Sequence, residues 1–479
     1  MKKEIVINWF RQDLRILDNP SLSYVSKKSI PVLNIFILDE INSSKKKIGS
    51  ASKVWLYHSL KSLNDVLDQK LFCFKGCAID IFRYLSEEYH IREVVWNRCY
   101  EPWRISRDTR LKLILKEKGI SVHTFNGSLL WEPWTILKDD KTPYKVFTPY
   151  YRKKCLSSEE PRRPIDKPKI NHIKDFSKKN TVDSLSLLPD SNWTTRIVKN
   201  WEINHTGLNK IITNFFKSGI LNYKLGRNFP DKSNVSKLSP YIHWGLISPN
   251  ILWYECEKFE SKFGANENID HFKSELGWRE FSYYLLYHFP GLPKQNLQVK
   301  FDKFPWIENN EYLKKWQNGS TGYPIIDAGM RQLWETGYMH NRIRMLVGSF
   351  LVKNLMIDWR HGEKWFWDCL FDADLASNSA SWQWVAGTGA DAAPYFRIFN
   401  PITQGQKFDN EGNYTKKYVP ELANLPLKFL YNPWDAPSDL LEKAGVKLGV
   451  NYPKPIINLK ESRATALEAF ASIRNSRDE

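Results

Sequence analysis

The sequence contains few cysteines and no long apolar run. Its six cysteines form neither a CxxC pair nor a Cys–His group at zinc spacing, so we expect free buried thiols and no metal site. No stretch approaches the roughly 18 uninterrupted apolar residues of a transmembrane helix, and the opening MKKEIVINWFRQ is too poor in apolar residues for a signal peptide. We therefore expect a cytoplasmic protein that binds no membrane.

Glycine-rich phosphate loops are also missing where they would be expected. The first 126 residues contain neither GxGxxG nor GxxxxGK[ST], which argues against a usual dinucleotide fingerprint and against a P-loop. Acidic residues are outnumbered, because 70 Lys and Arg face 53 Asp and Glu and give a net charge of +17. A surplus of this size attracts polyanions, although solvated lysine surfaces produce it equally often. Charge alone therefore does not assign nucleic-acid binding.

Aromatic residues, by contrast, are abundant, with 20 Trp, 22 Tyr and 26 Phe. The stretch WFWDCLFDADLASNSASWQW, residues 365–384, interleaves indoles with Asp372, Asp374 and Asn378. Carboxylates and an amide beside aromatic rings suit a polar heteroaromatic ligand such as an isoalloxazine. The simpler alternative is that Asp372 and Asp374 cap a helix.

The order of hydrophobic patterns indicates an α/β domain followed by a helical one. Between residues 4 and 126 the apolar runs EIVINWF, PVLNIFIL, LFCF, REVVWN and SVHTF alternate with helical stretches, which is typical of a doubly wound five-stranded parallel sheet. A Ser-, Pro- and Lys-rich segment follows, and helical periodicity dominates after residue 200. We predict an α/β domain over 1–130, a connector over 131–200 and a larger all-α domain over 201–479.

Two predicted helices carry polar residues at helical spacing. In SELGWREFSYY, Glu275, Trp278 and Arg279 share one face, and in TGYMHNRIRMLVGSF so do Asn341, Arg344 and Met345. Each pattern alone is typical of a half-buried packing helix with local charge pairs. Together they favour a cavity lined by Glu, Asn, Arg, Trp and Met.

Five longer motifs make the interpretation specific. They are WFRQDLRILDNPSL, WREF, TGYPIIDAGMRQLWETGYMHNRIRM, DLASNSASWQW and DAAPYFRIFNPITQGQKFD. In order and spacing they resemble the DNA photolyase and cryptochrome family over about residues 4–460, and within it the bacterial class I photolyases of cyclobutane pyrimidine dimers. The resemblance implies an antenna domain, a helical domain that binds bent FAD, and light-driven electron transfer from reduced flavin to UV-damaged DNA by a monomeric lyase.

The resemblance also implies roles for individual residues. The implied FAD contacts are Tyr223, Ser236, Leu238, Ser239, Arg279, Asn341, Arg344, Asp372, Asp374 and Asn378. The implied DNA and lesion contacts are Arg227, Glu275, Trp278, Asn341, Met345, Trp384 and Gln404. The implied catalytic set is Glu275, Asn341 and Asn378, with the flavin-reducing relay Trp306, Trp359 and Trp382. In this scheme Arg344 pairs with Asp372 beside the ring, a protonated Glu275 donates to a thymine carbonyl, and Trp365 and Trp367 only pack.

Some positions depart from the family pattern. Val235 stands where many members have Thr, and Phe272 where some bacterial members have Trp. Trp103 and Arg104 occupy the place of an Asn–Glu pair that grips folate in enterobacterial photolyases. The identity of a second chromophore therefore stays undecided. The alternatives are methenyltetrahydrofolate in another pose, a deazaflavin, a flavin or an empty antenna pocket.

Three other functions compete with dimer repair. A cryptochrome photoreceptor would be expected to vary at Glu275 and Met345 and often to carry a long C-terminal tail. A photolyase of six-four photoproducts usually has a histidine pair where this chain has MHNRIRM. A basic helical RNA-binding protein would contain no flavin, so the colour of the purified protein separates it from the rest.

Overall fold

The computed structural model describes residues 2–41, 46–174, 176, 180–189 and 191–475. The chain forms two compact units, each built from separated segments. Unit 1 comprises residues 1–217, 236–290 and 371–376, and unit 2 comprises residues 218–235, 291–370 and 377–479. Within the described ranges, no helix has both the length and the hydropathy needed to cross a membrane.

A parallel five-stranded sheet forms the centre of the N-terminal part of unit 1. Its strands are β1 (Glu4–Phe10), β2 (Val32–Leu38), β3 (Leu71–Lys75), β4 (His90–Asn97) and β5 (Ser121–Phe125). Their spatial order is β3-β2-β1-β4-β5, and all neighbours run parallel. The five predicted apolar runs therefore coincide with the five strands. All seven residues of β2 are buried, as expected for a sheet covered on both faces.

The α-helices follow in chain order. They are α1 (Pro20–Val25), α2 (Ser50–Val66), α3 (Ala78–Glu88), α4 (Pro102–Glu117), α5 (Asn192–Ile197), α6 (His205–Lys217), α7 (Tyr223–Gly226), α8 (Ser239–His243), α9 (Pro249–Phe263), α10 (Glu267–His288), α11 (Asn310–Gln317), α12 (Pro324–Thr336), α13 (Asn341–Ser349), α14 (Trp359–Cys369), α15 (Leu375–Ala386), α16 (Pro401–Phe408), α17 (Asn413–Tyr418), α18 (Ser438–Lys443) and α19 (Leu459–Asn475). The α/β class followed by an all-α region is thus confirmed.

Shorter helical turns connect these elements. Two are π-helical, Pro149–Lys154 and Phe350–Asn354, a form that often marks functional segments. The 3₁₀ turns are Cys155–Ser157, Asp183–Leu185, Gly219–Asn222, Val299–Lys303, Pro420–Leu422, Leu427–Phe429 and Pro433–Asp435. The periodicity of the sequence predicts neither π-helical turn, because a single wider turn leaves no repeat to detect.

Each unit has its own apolar core. In unit 1 the sheet residues Trp9, Leu33 and Trp96 pack with Phe82 of α3 and Leu111 of α4. A core in unit 2 joins Phe301, Phe304 and Tyr395 with the C-terminal helix α19. The six cysteines are free thiols, and all except the half-buried Cys77 are buried. Within the described residues no group of three or more His, Cys, Asp or Glu side chains could hold a metal ion.

Candidate functional site

The acidic loop of the predicted flavin site lies directly before α15. Asp372 and Asp374 are only 7% and 6% exposed, and the hydroxyl of Ser239, at the start of α8, donates to the Asp372 carboxylate. Nearby, the Leu238 N–H donates to Ser236 Oγ over 3.4 Å. Buried carboxylates need donors, and unit 1 therefore brings the predicted serine and aspartate contacts of the flavin together.

Arg279 adds a guanidinium to the unit 1 group. Its Nη1 donates to Ser128 O and to Glu280 Oε1, both over 2.9 Å. Burial acts to lower the pKa of Arg279, but Tyr283, Glu280 and Asp374 outweigh it and raise the pKa. Arg279 thus stays charged within electrostatic reach of the acidic loop.

Glu280 is a buried carboxylate that the sequence analysis did not single out. It is 2% exposed and accepts the N–H groups of Leu130 at 2.7 Å and Trp131 at 3.4 Å. Burial raises its pKa to about 7, against the opposing effect of Arg279. The feature of the sequence that could have identified Glu280 is its position directly after Arg279 in the WREF motif.

His243 is a second residue that sequence reasoning missed. It ends α8, and its Nδ1 lies 3.3 Å from Phe371 O, just before the acidic loop. Burial lowers the pKa of His243, although Asp374, Glu101 and Asp372 act in the other direction. A neutral imidazole therefore borders the two carboxylates at neutral pH.

Unit 2 fixes the orientation of Asn378. Its Nδ2 donates to Glu363 O at 3.0 Å and to Glu363 Oε1 at 3.1 Å, and both residues are buried. The amide nitrogen is thus occupied, and the Oδ1 is the atom left to accept a ligand donor. Turning the amide over would break two buried hydrogen bonds. Sequence reasoning identified Asn378 but not Glu363.

The remaining predicted flavin contacts of unit 2 lie on α7 and α13. Arg344 donates from Nε to Met339 O over 2.8 Å, and its guanidinium lies 5.4 Å from the Tyr338 ring. Asn341 is exposed at the start of α13, whereas Tyr223 is buried at the start of α7. The predicted pair of Arg344 with Asp372 joins residues of different units and stays a prediction.

The predicted lesion contacts of unit 1 lie on α10. The Trp278 ring stacks on Phe147, with centroids 3.9 Å apart and planes within 9°, and Phe147 stacks in turn on Tyr151. Phe147 therefore covers one face of the Trp278 indole. Glu275, one turn earlier, is half-buried, and its Oε1 lies 3.7 Å from His271 Nε2. No local pattern signals Phe147, which is 131 residues away in sequence.

In unit 2 the predicted DNA contacts include a cationic group. Arg342 donates to the Asn228 side chain, lies 4.4 Å from the Phe408 ring, and reaches Met345 Sδ at 3.8 Å. Burial, and then the charge of Arg227, lower the pKa of Arg342. Two arginines whose charges repel are suited to an anionic ligand such as a phosphate. Sequence reasoning included Arg227 and Met345 but missed Arg342.

Two further predicted DNA contacts of unit 2 are half-buried: Trp384 on α15 and Gln404 on α16. The structure shows Gln404 in the helix formed by the PITQGQKF motif. Their contact with DNA stays a prediction.

The predicted relay indoles lie on adjoining segments of unit 2. Trp382 is buried against Phe366, with centroids 4.9 Å apart, and against Trp316 at 6.2 Å. Its ring rests on Gly362, where an added Cβ would lie 2.1 Å from the indole. Gly362 is one helical turn after Trp359 on α14. The same helix therefore contains one predicted relay indole, Trp359, and the glycine on which another, Trp382, packs.

The outer part of the predicted relay adjoins the start of α14. The N–H of Ile307 donates to Met356 O over 2.8 Å, which attaches the segment of Trp306 to the residues just before Trp359. Trp306 itself is half-buried and packs on Phe304, with centroids 4.5 Å apart. The structure thus brings the segments of all three predicted relay residues together.

At two positions where the sequence departs from the family pattern, the residues present make contacts within the chain. Arg104 Nε donates to Glu101 Oε2 over 2.8 Å, and its guanidinium lies 4.6 Å from the Trp103 ring. Phe272 is buried and packs on Phe215, with centroids 4.8 Å apart. The place of the folate-gripping pair is therefore taken by an internal ion pair.

Comparisons with known proteins show the family to which the chain is similar. Residues 6–169 match the family model of DNA photolyase, and residues 272–472 match that of the FAD binding domain of DNA photolyase. The deoxyribodipyrimidine photo-lyase of Agrobacterium fabrum is 44% identical, over 99% of both chains. Cryptochrome-1 of Arabidopsis thaliana is 35% identical, over 98% of this chain and 70% of its own length.

A solved structure extends the likeness to the fold. A bacterial class III photolyase from Agrobacterium tumefaciens superposes with a TM-score of 0.94 at 43% identity, over 99% of this chain and 98% of its own. The chain belongs to the DNA photolyase and cryptochrome family, as its motifs predicted, and it contains the family's FAD-binding domain. The structural relative is of class III, whereas the motifs had suggested a likeness to class I.

Proposed function

We propose that this protein is a light-driven lyase that splits cyclobutane pyrimidine dimers in UV-damaged DNA. The observation that carries the proposal is its full-length similarity to a deoxyribodipyrimidine photo-lyase, which exceeds its similarity to a cryptochrome. The presence of Glu275 and Met345 also favours repair over the photoreceptor function. We further propose that it acts in the cytoplasm as a monomer, without a metal.

The polar groups of both units suit FAD as the cofactor. Buried Asp372 and Asp374 offer acceptors, Arg279 offers a charged donor for phosphate or ring oxygens, and Asn378 offers an amide oxygen. The proposed FAD contacts are Tyr223, Ser236, Leu238, Ser239, Arg279, Asn341, Arg344, Asp372, Asp374 and Asn378. Reduced FAD, when bound, supplies the light-excited electron donor.

The chain's own residues would keep the cofactor groups in place. The Glu280 carboxylate holds the Arg279 guanidinium through its Oε1, and Glu363 holds the Asn378 amide with its oxygen free to accept. Both partners are buried, so the orientations are set before a ligand arrives. Such preorganisation reduces the entropy lost on binding.

In the proposed contacts with a damaged base pair, unit 1 supplies an aromatic stacking surface and unit 2 supplies cations. Phe147 supports the Trp278 indole from one side, so its ring is fixed as a stacking surface for a pyrimidine dimer turned out of the helix. Glu275 lies one turn away and would donate to a thymine carbonyl when protonated. Arg227 and Arg342 would bind the phosphates, and Asn341, Met345, Trp384 and Gln404 complete the proposed contacts.

The relay would serve a separate task from repair. Trp306, Trp359 and Trp382 are proposed to carry electrons inward when the bound flavin is oxidised. Indole is easily oxidised, and electron tunnelling weakens steeply with distance, so a buried acceptor needs intermediate donors. The identity of a second, antenna chromophore stays open, because at the folate-gripping position Arg104 forms an ion pair with Glu101 and lies beside the Trp103 ring.

The test is repair by the purified protein with its flavin chemically reduced without air. Under blue light, an oligonucleotide with one cyclobutane dimer should be restored, and the dark sample should show no repair. Glu275→Ala should bind flavin normally and repair more slowly. If the unchanged protein binds flavin and photoreduces normally but does not repair the dimer, the result would instead support the cryptochrome function. Failure to bind FAD after reconstitution would contradict the cofactor assignment.

A further inference from the structure

Trp359 has a polar partner built into the fold. Its indole is fully buried at the start of α14, and its Nε1 donates to Asn296 Oδ1 over 2.9 Å. Asn296 is itself buried and precedes the 3₁₀ turn Val299–Lys303. The hydrogen bond thus joins the middle indole of the proposed relay to the segment that leads to Trp306.

A carboxylate continues this hydrogen-bonded chain. Asn296 Nδ2 donates to Asp302 Oδ1 over 2.7 Å, and Asp302 is exposed. A negative group at the donor end of an amide polarises it, which enriches its oxygen in electron density. The oxygen that accepts the Trp359 N–H is therefore a stronger acceptor than a lone amide.

A cation opposes this effect from the next residue. The Arg360 guanidinium lies 4.8 Å from the centroid of the Trp359 ring. It is held there by Asp358 Oδ2 at 2.7 Å and by Lys294 O at 2.9 and 2.7 Å. Trp359 therefore has a fixed acceptor at its N–H and, near its ring, a positive charge that the Asp358 carboxylate partly offsets.

We propose that Asn296 and Asp302 are positioning residues that lower the reduction potential of the Trp359 radical cation, and that Arg360 raises it. The proposal rests on the relay of the proposed function. Trp382 loses one electron to the photoexcited oxidised flavin, and Trp359 then gives one electron to the Trp382 radical cation. Trp382 is restored and Trp359 becomes the radical cation. Trp306 then gives one electron to Trp359, and an added thiol reductant gives one electron to the Trp306 radical and becomes a thiyl radical.

The physical reason is that oxidation makes the indole N–H more acidic. A hydrogen bond from a charged donor is stronger than one from a neutral donor, so Asn296 stabilises oxidised Trp359 more than neutral Trp359. The Asp302 charge attracts the new positive charge, whereas Arg360 repels it. The three residues therefore set the driving force of the step between Trp382 and Trp359.

The first experiment compares photoreduction of bound oxidised flavin in four variants. Asn296→Leu should lower the quantum yield about tenfold, as expected for losing a hydrogen bond to a charged group. Asp302→Asn should lower it about two- to fivefold, and Arg360→Gln should raise it by a similar factor. Asp302→Glu should restore the yield. Loosened packing would lower the yield in every variant, so opposite signs for Asp302→Asn and Arg360→Gln are specific to charge.

The second experiment reads the hydrogen bond directly. With ¹⁵N-labelled tryptophan, the Nε1–H resonance of Trp359 is assigned by its loss in Trp359→Phe. It should move upfield and exchange faster in Asn296→Leu, and should shift less in Asp302→Asn. An unchanged resonance in Asn296→Leu would overturn the proposal without reference to light or flavin chemistry.

Two outcomes separate this proposal from the function on which it rests. Normal photoreduction in Trp359→Phe would refute the relay itself. A block in Trp359→Phe, combined with equal or same-sign effects of Asp302→Asn and Arg360→Gln, would refute only the role of the charges. Dimer repair by chemically reduced protein should be unchanged in Asn296→Leu, Asp302→Asn and Arg360→Gln, because that reaction does not use Trp359.

Discussion

The indole of Trp9 beside the sheet and the indole of Trp382 packed on α14 have different kinds of neighbours. In unit 1 the Trp9 ring lies 5.1 Å from the Arg11 guanidinium and 4.7 Å from that of Arg107. In unit 2 the buried ring of Trp382 contacts Phe366 and another indole instead. Cations near a ring oppose its oxidation, because they repel the positive charge that forms. Tryptophan content therefore says little about electron transfer until the neighbours of each ring are known.

A buried carboxylate, Asp108, also distinguishes the surroundings of Trp9 from those of Trp382. Asp108 accepts from Arg11 and, at 3.0 and 2.8 Å, from Arg107. In this buried network each charge has a partner, so the indoles of unit 1 form part of a stabilising cluster. The contacts of Trp382 described above are with Phe366, Trp316 and Gly362, and its proposed role is chemical.

The largest expected effect is on the stability of the unit 1 cluster. Asp108→Asn should lower the free energy of unfolding by about 3–5 kcal/mol, because it leaves the buried Arg11 guanidinium without its carboxylate and Arg107 with Asp39 at 3.5 Å. Urea unfolding at pH 7 measures this, with Asp80→Asn, in an exposed pair with Arg83, as the control near zero. Photoreduction should be unchanged, and a slowed photoreduction in Asp108→Asn would break the comparison.

The same carboxylate predicts an acid dependence. Burial acts to raise the pKa of Asp108, but Arg11 and Arg107 outweigh it and hold the pKa below its usual value. Its contribution is therefore complete above the unfolded pKa of about 4 and is lost as the pH falls through the folded value. The stability difference between the two proteins should shrink only in acid.

The next effect concerns the proposed relay. Trp382→Phe should slow photoreduction of oxidised flavin by at least about 100-fold, since Phe keeps most of the packing but is much harder to oxidise. Repair after chemical reduction should be nearly intact. Bleaching of the blue flavin band measures the first, and dimer turnover the second. The matched control is Trp96→Phe, which removes an equally buried indole near Arg11 and should photoreduce normally.

A third effect sharpens the comparison through a buried lysine, Lys353, beside the aromatic core of unit 2. Lys353 donates to Arg397 O at 3.0 Å, and its Nζ lies 5.4 Å from the Tyr395 ring. Burial, and then the charge of Arg397, lower the pKa of Lys353 to about 7. Unfolded chains bind more protons than the folded protein between this value and about 10.4, so stability due to Lys353 should rise with pH across that window.

Thermal or urea unfolding of Lys353→Met measures this dependence. Relative to the variant, the unchanged protein should gain about 2 kcal/mol between pH 7 and pH 9. Lys315→Met, which removes an exposed lysine paired with Glu311, should show no such dependence. A flat difference for Lys353→Met would mean that the aromatic core of unit 2 is more polar than its side chains indicate.

The smallest expected effect is at the proposed lesion face. Glu275→Ala should lower dimer repair about tenfold even with fully reduced flavin, as expected for the loss of one hydrogen bond to a polarised carbonyl. Met345→Ala should also lower repair. Photoreduction should stay normal in both, the reverse of Trp382→Phe. Glu267→Ala, at the exposed start of the same helix, is the control, and an equal loss there would remove the special role of Glu275.

The sequence predicted the sheet well because each strand is a short apolar run with a helix after it. It also placed Glu275, Trp278 and Arg279 on one helix, α10, as the structure has them. Periodicity reports only contacts between residues a few positions apart. It therefore identified α/β and helical regions but not two units assembled from separated segments.

The partners of the proposed site residues were less predictable for the same reason. Trp278 stacks on Phe147, which lies in the segment interpreted as a connector. Asn378 is fixed by Glu363, 15 residues away across a loop, and Trp359 by Asn296, 63 residues away with three α-helices between them. Such pairs depend on which distant segments the tertiary fold brings together, and composition and local spacing do not report that.

Gly362 gives the Trp382 indole its place by having no side chain. Any Cβ there would lie 2.1 Å from a rigid ring, although alanine would favour the helix by about 1 kcal/mol. The two positions are therefore sterically coupled: residue 362 gains a side chain only if the ring at residue 382 shifts or becomes smaller. A side chain at residue 362 should therefore destabilise the protein that keeps Trp382, and should cost less when residue 382 is small.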